Sequence, residues 1–513
     1  MLIIRSLFLV LACTSFAAAE SDYFAIHVVD ADTGRGVPLV ELKTVSGVSF
    51  FTDSAGWIAI NEPDLMNQTI YFSISSHGYE FPKDGFGFQG KALTVKVGES
   101  VEVKLPRKNI AERLYRTTGS GIYRDSVLLG KPVPITQPVV NALVQGSDSV
   151  QFAEFGGRLH WFWGDTLLAK YPLGLFEMAG ATSPLPKESK LDIEQGINYR
   201  YFQDDKFPAG KGTARNTAPI GGEGPTWVSG VTVVRDRNGK EQMLAGYSKI
   251  RNYLETYRRG LCRWDIEKNA FVDAGDVPLD APLFPIGHPL RHKEKDREWI
   301  YYCEPLPTLR VPATAESVLD VTQYEAFTCL KSGSRLKGNQ PRPEDLDRDA
   351  EGKLIWSWKK DAPQLDPTTE AKWMKEGVLK AEEAKLQLAD ESTGKQVTPH
   401  RGNVAWNDYR NTWTIVFGQI NGSSSLIGEI WYAEADDLLG PWQHLVKIVT
   451  HDKYDFYNPR QHAIFQKENG KVIYFEGTYT ATFAGNPRPT PRYEYNQIMY
   501  KLDLSDPRLK LPR

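Results

Sequence analysis

From residue 23 onward, apolar and polar residues alternate in short runs that end on turn-forming residues. FAIHVVD, ELKTV, FFTDSAGWIAI, YFSISSHGYEF and LTVKVGESVEVKLP each read as one or two strands. Period-two alternation bounded by Gly, Asp, Asn or Ser is the mark of a half-buried strand. Asp32-Thr33-Gly34 and Asp53-Ser54-Ala55-Gly56 supply two of the turns. Strands at this spacing predict a β-sandwich over residues 20–107.

Past residue 108 the runs lengthen and become hairpins. In GSDSVQFAEFGGRLHWFWGDT the turn is Phe155-Gly156-Gly157, with an apolar strand on each side. Asp148 before it and Asp165 after it return to the same open end of an antiparallel hairpin, so the two carboxylates should be neighbours. The plan recurs four times. One turn is Arg237-Asn238-Gly239, with Glu223 before its hairpin and Tyr247 to Lys249 at the far end. A second lies near Glu294 to Asp296, with His288 and Glu304 at the open end. A third lies near Tyr409 to Asn411, with His400, Arg401, Asn403 and Gln419. The last is Glu468-Asn469-Gly470, with Asn458, Arg460, His462 and Glu476.

RRGLCRWDIEKNAFVDAG, LIGEIWYAEADDLLGPWQHL and YNQIMYKLDLSDPRL add further strands to three of these hairpins. Repeated units with one polar end predict a five-bladed β-propeller over residues 108–513. An insertion at about 331–398 interrupts it. There TTEAKWMKEGVLKAEEAKLQLAD has helical spacing and predicts a helix on the outside of the propeller. The fold class is therefore all-β: a small β-sandwich followed by a five-bladed β-propeller with a partly helical insertion.

Composition narrows the function. The 513 residues carry a net charge of −3, which leaves no basic footprint for nucleic acid. Residues 1–19 read as a signal peptide, with Arg5, an apolar run and Ala17-Ala18-Ala19 as cleavage site. Val10-Leu11-Ala12-Cys13 offers an alternative, a lipobox with a lipid on Cys13. Either reading makes the protein secreted or periplasmic. No later run has the roughly 18 apolar residues of a transmembrane span. Cys262, Cys303 and Cys329 are too sparse for a disulfide framework and read as buried thiols, with a Cys303–Cys329 pair as the alternative.

Two stretches resemble known families. The order of D-x-x-TG-x-x-VP, TD-x-x-G and HGY in the first domain resembles carboxypeptidase-regulatory-like, transthyretin-like domains, which implies a module without chemistry of its own. GEIWYAEADDLLGPWQ resembles blades of glycoside hydrolase propellers of the arabinanase–xylosidase and invertase kind. GSDSV and WFWGDT resemble the opening of an uncharacterised family of secreted propellers marked by Gly-Asp-Thr and linked to arabinan-cleaving hydrolases. These resemblances imply a polysaccharide or oligosaccharide as partner.

Carboxylates at a propeller mouth can perform acid–base chemistry on a glycosidic bond, one donating a proton while another activates water or attacks. Asp148, Asp165 and Glu223 are the catalytic candidates. Against this, Asp148 and Asp165 could close turns on their own backbone, and Glu223 could be a solvated loop carboxylate. Trp227 and Tyr479 are placed to stack on a sugar, whereas Trp161, Trp163, Trp406 and Trp431 read as core. His288, His400 and His462 are candidates for bonding sugar hydroxyls; no cofactor is called for, although a divalent metal shared by these histidines is the alternative. Arg401, Arg460 and Arg492 could hold the anionic group of an acidic sugar or be salt-bridged. Glu476 reads as a channel residue that needs Arg460 or Arg492 as partner. Ser126 has no evident base.

The expectation is an exported glycoside hydrolase. A non-catalytic glycan-binding or surface-assembly propeller and a lyase using His462 with Tyr493 are the alternatives. The sandwich is expected to be separable. Residues 108–513 expressed alone should melt cooperatively, and insoluble product would count against that boundary.

Overall fold

The computed structural model describes residues 22–169, 178–204, 212–252, 254–336, 341–486 and 488–509. The leader reading and Cys13 lie outside them. The first domain is a sandwich. One sheet orders Trp57–Ile60, Phe24–Asp30 and Ser100–Leu105; the other orders Ser49–Phe51, Glu41–Thr44, Thr69–Ser75 and Gly90–Thr94. Alternate residues such as Ile26, Val28, Leu42, Ile58 and Phe72 fill the space between them. The turn at Asp53 forms as its sequence directs, with Asp53 Oδ1 accepting from the Ala55 and Trp57 amides.

Among the described residues the rest of the chain builds five blades, each an antiparallel sheet counted from its inner strand. The inner strands are Val150–Phe155, Thr226–Arg235, His288–Glu294, Pro399–Asn407 and Asp455–Gln461. The turns fall where the sequence places them. Gly156 and Gly157 adopt φ of 57° and 74°, the left-handed pair that a two-residue hairpin turn requires. The outer strand of blade 5 is not contributed by the C-terminal region. It is Glu112–Arg116, the first strand after the sandwich, paired antiparallel with Asn496–Asp503. The ring is thus closed by hydrogen bonds between the two ends of the propeller.

Wedge-shaped cores separate the blades, which explains why Arg158–Leu168 is apolar on both faces. Leu159, Trp161 and Trp163 pack with Tyr474 and Met499 of blade 5, whereas Phe162 packs with Val228, Met243 and Tyr247 of blade 2. Trp161, Trp163 and Trp431 are core, but Trp406 lies 39% exposed at the edge of blade 4. Cys262, Cys303 and Cys329 are buried and free.

The insertion is less helical than its spacing suggests. The helix is Pro367–Lys375, capped by Asp366, and the chain then turns at Gly377, with φ of 74°. Ser357–Lys359 adds a fifth strand to blade 3. Trp373, Leu379 and Leu386 then fill the wedge between blades 3 and 4. The segment is packing material as much as outer decoration.

The sandwich docks on the closing strand and on blade 5. Buried Arg113 donates to Pro38 O, His77 O and Ser76 Oγ. Asp53 Oδ2 accepts from Ser126 N, and Asp125 Oδ1 accepts from Ala59 N. His77 sits against Tyr454, Tyr479 and His451, with its Nε2 2.9 Å from the Tyr479 hydroxyl. Burial pushes the His77 imidazole down to about 3, with the Arg113 charge a lesser cause.

A histidine depressed in the fold is neutral there while the unfolded chain takes up protons below about 6.5. Its contribution is present above that pH and is lost as pH falls. His77→Gln keeps a polar group and removes the titration. The wild type is expected to lose about 3 kcal/mol more than His77→Gln between pH 6.5 and pH 4, read from denaturant melts.

Candidate functional site

Four inner strands are irregular near the mouth of the channel. Blade 1 breaks at Asp148–Ser149, and its second strand bulges at Trp163–Gly164 against its third. Blade 2 bulges at Gly230–Val231, blade 4 at Arg401 and blade 5 at Asn458–Pro459. Arg401 and Asn458 take φ of 53° and 49°. A bulge rotates the residues that follow it and re-aims side chains that a regular strand would send to the wedges.

The break in blade 1 presents two carboxylates. Asp148 N donates to Asp165 O at 3.0 Å, so the pair lies side by side as the hairpin register predicts. Both side chains are half-buried. Their surroundings differ. Asp148 accepts from Tyr495 Oη at 2.9 Å and from Ser149 N and Oγ at 2.5 and 2.6 Å. The Tyr457 phenol also faces it. Asn458 Nδ2 donates to Ser149 Oγ, so blade 5 braces this carboxylate from two directions. Among the described residues Asp165 has a single side-chain donor, Trp227 Nε1 at 3.0 Å from Oδ1. Burial, helped by the negative charge of Asp148 and opposed by Trp227, pushes Asp165 up to about 6. One carboxylate is rich in donors; the other is poised to hold a proton near neutrality.

Glu223 precedes the inner strand of blade 2 at this end of the sheet, on an exposed loop. Its carbonyl accepts from Tyr257 Oη. Trp227 is tied to the pair by its indole edge, a geometry that leaves the ring half-buried at the mouth.

The remaining polar residues do not gather at the rim. His288, Arg460, His462 and Glu476 are buried, and His462 packs against Phe152, Trp161 and Phe465. His462 Nε2 lies 2.8 Å from Glu476 Oε1, and Glu476 Oε2 accepts from Thr117 Oγ1. Thr117 follows the closing strand, so Glu476, with a fully buried carboxylate, is a fastener of the ring and not a group that meets substrate. Arg460 donates to Phe152 O and stands opposite Glu476 in register. Burial lowers Arg460 to about 9 and drives His288 and His462 down as well. Among the described residues no group of three or more His, Cys, Asp or Glu side chains is placed to hold a metal ion.

His400 and Arg401 border a cavity of about 310 Å³ formed with Glu304 and with Gln364 and Asp366 of the insertion. Arg401 pairs with Glu304. Tyr479 is a correction: it is fully buried, stacked on Tyr454 with ring centroids 4.1 Å apart, and its hydroxyl meets His77 and Thr490. It cannot stack on a sugar. The His462–Tyr493 pair of the lyase alternative does not form either, because the Tyr493 hydroxyl donates to Thr52 O of the sandwich. Arg492 is exposed and turned toward Asp125. Tyr495 and Tyr457 are the residues that sequence reasoning missed, whereas Asn458 was placed at the open end of its hairpin.

No protein-family profile matches the chain, and no curated protein matches it. Solved structures that resemble it include an exo-beta-1,3-galactanase from Phanerochaete chrysosporium, at 9% identity and a TM-score of 0.35, covering 76% of this chain and 64% of that one. An exo-beta-1,3-galactanase from Clostridium thermocellum matches at 11% identity and a TM-score of 0.34, covering 72% and 60%. An exo-1,5-alpha-L-arabinanase from a bovine ruminal metagenomic library matches at 9% identity and a TM-score of 0.32, covering 70% and 94%. The chain thus spans less than two thirds of the length of both galactanases. At these scores the likeness carries no argument, and the propeller assignment rests on the five sheets and their closure. Among the described residues no helix is long and apolar enough to cross a membrane.

The contrast within the pair is measurable without a substrate. The Trp227 indole N–H should titrate with a midpoint near 6 in ¹⁵N-tryptophan spectra, moving downfield as Asp165 ionises and becomes a stronger acceptor. Asp165→Asn should abolish that titration.

Proposed function

We propose that this protein is an exported glycoside hydrolase that cleaves a polysaccharide at the mouth of its propeller. The observation that carries the reading is the half-buried Asp148–Asp165 pair, two neighbouring carboxylates with unlike surroundings at the open end of the channel. Glycosidic cleavage needs a proton donor and a separate base or nucleophile. Asp165, raised to about 6, is suited to donate to the leaving oxygen. Asp148, ringed by hydroxyl and amide donors, is suited to activate water or attack. Trp227 would keep the acid oriented through its indole N–H and offer its ring face to the sugar. Glu223, on the neighbouring blade, is the third candidate. The cavity beside His400 and Arg401 would take further sugar units. Export rests on the leader reading of residues 1–19.

The test is a glycan hydrolysis screen with product analysis, repeated for Asp148→Asn, Asp165→Asn and Glu223→Gln. Asp148→Asn and Asp165→Asn are each expected to lose about 100-fold or more in turnover with glycan binding retained, the scale of a missing acid or base. Wild-type activity should fall as pH rises through about 6, as Asp165 loses its proton. New reducing ends without unsaturation mark a hydrolase. Wild-type rates in both aspartate variants would remove the pair from the chemistry. Binding of glycans with no cleavage by any form would make the propeller a binding module.

A further inference from the structure

The loop between Val472–Thr480 and Asn496–Asp503 of blade 5 touches both the carboxylate pair and the sandwich. Two tyrosines, two residues apart, face opposite ways. Tyr495 donates to Asp148 Oδ2 at 2.9 Å. Tyr493 is only 2% exposed; its hydroxyl donates to Thr52 O at 2.5 Å and accepts from Leu39 N at 3.2 Å. The Arg116 guanidinium of the closing strand sits 4.6 Å over the Tyr493 ring. The anchor is itself fixed, because Thr52 Oγ1 donates to Val37 O and accepts from Val40 N inside the sandwich.

The backbone between these contacts is not relaxed. Arg492 and Tyr495 adopt φ of 65° and 57°, a region that non-glycine residues hold only when their surroundings impose it. Glu494 fixes the inner side of the loop, accepting from Tyr454 Oη and the Ala481 amide. Asn496 Nδ2 donates back to Arg492 O and Glu494 O. The outer side is held by Tyr493 on the sandwich.

We propose that the N-terminal sandwich is a positioning brace for the carboxylate pair, with Tyr493 as its latch and Tyr495 as the positioning residue that the latch keeps on Asp148. This rests on reading Asp148 and Asp165 as the working pair. It gives the first domain a role that needs no ligand of its own.

The test uses the full chain with ¹⁵N-labelled tryptophan. Trp227 reports on Asp165, and Asp165 feels the charge of Asp148. Tyr495→Phe removes the donor to Asp148. Tyr493→Phe removes the bonds to Thr52 and Leu39 and keeps the ring under Arg116. Arg35→Met is the control: Arg35 crosses the same domain interface to Leu114 O and Glu194 O, away from this loop. In Tyr493→Phe the Trp227 midpoint is expected to shift in the same sense as in Tyr495→Phe. Amide exchange in residues 490–495 should rise about tenfold or more, as expected for a local opening. Arg35→Met should leave Trp227 at its wild-type midpoint.

The proposal is overturned if Tyr493→Phe matches the wild type at Trp227, if Tyr495→Phe causes no shift, or if Arg35→Met shifts it as far. Should Tyr493→Phe fail to fold, Arg116→Lys takes its place in the same spectra: a shifted Trp227 midpoint supports the brace, and a wild-type midpoint overturns it. None of these measurements uses a substrate, so an absence of glycan cleavage bears on the proposed activity alone. Where a cleaved glycan is found, Tyr493→Phe should lower kcat several-fold and leave KM unchanged.

Discussion

Closure of the ring is the constraint on which the rest depends. Without a partner the outer edge of Asn496–Asp503 would be open, and unpaired strand edges are prone to pair wrongly. Here Glu112–Arg116 covers that edge and ties the two ends of the propeller together. The same seam organises polar side chains. Thr117, just past the closing strand, bonds Glu476, which in turn holds His462. Tyr495, just before its partner strand, bonds Asp148. The seam and the carboxylate pair are therefore one piece of structure.

The second organising feature is irregularity at a common level. A regular inner strand sends alternate side chains into the wedges, which are packed with aromatics. Polar groups reach the mouth only where that alternation is broken. Asp148, Arg401 and Asn458 all lie at such breaks. Their cost in ladder hydrogen bonds and left-handed backbone is offset by donors from neighbouring blades, as Asn458 and Ser149 illustrate.

Much of this was legible in the sequence. Turns such as Phe155-Gly156-Gly157 marked the hairpins, and hairpin register made Asp148 and Asp165 neighbours. The failures share a cause. Tyr479 lies in a strand buried along its whole length, Val472–Thr480, so alternation could not say which side faced solvent. The bulge at Asn458–Pro459 shifts the pairing by one residue, which changes what Arg460 and His462 face relative to a simple count from the turn. The helix at Pro367–Lys375 stops early because a glycine with positive φ follows it, a local signal that the apolar spacing overrode. Tyr495 was illegible for a different reason: its contact spans most of the propeller sequence and depends on closure.

The position of the closing strand also bears on how the protein is made. Synthesis proceeds from the N-terminus, and Glu112–Arg116 emerges long before the strand that completes it. All five of its residues are buried in the finished protein, and while it waits its backbone N–H and C=O groups are unpaired, an open edge of the kind that recruits other chains. The sandwich is already complete by then, because its strands end at Leu105. Through Arg113 and the carbonyls of Pro38 and His77, it can hold that strand in place until the last blade arrives. A domain that steadies the finished mouth would then first have served as the chaperone of its own propeller.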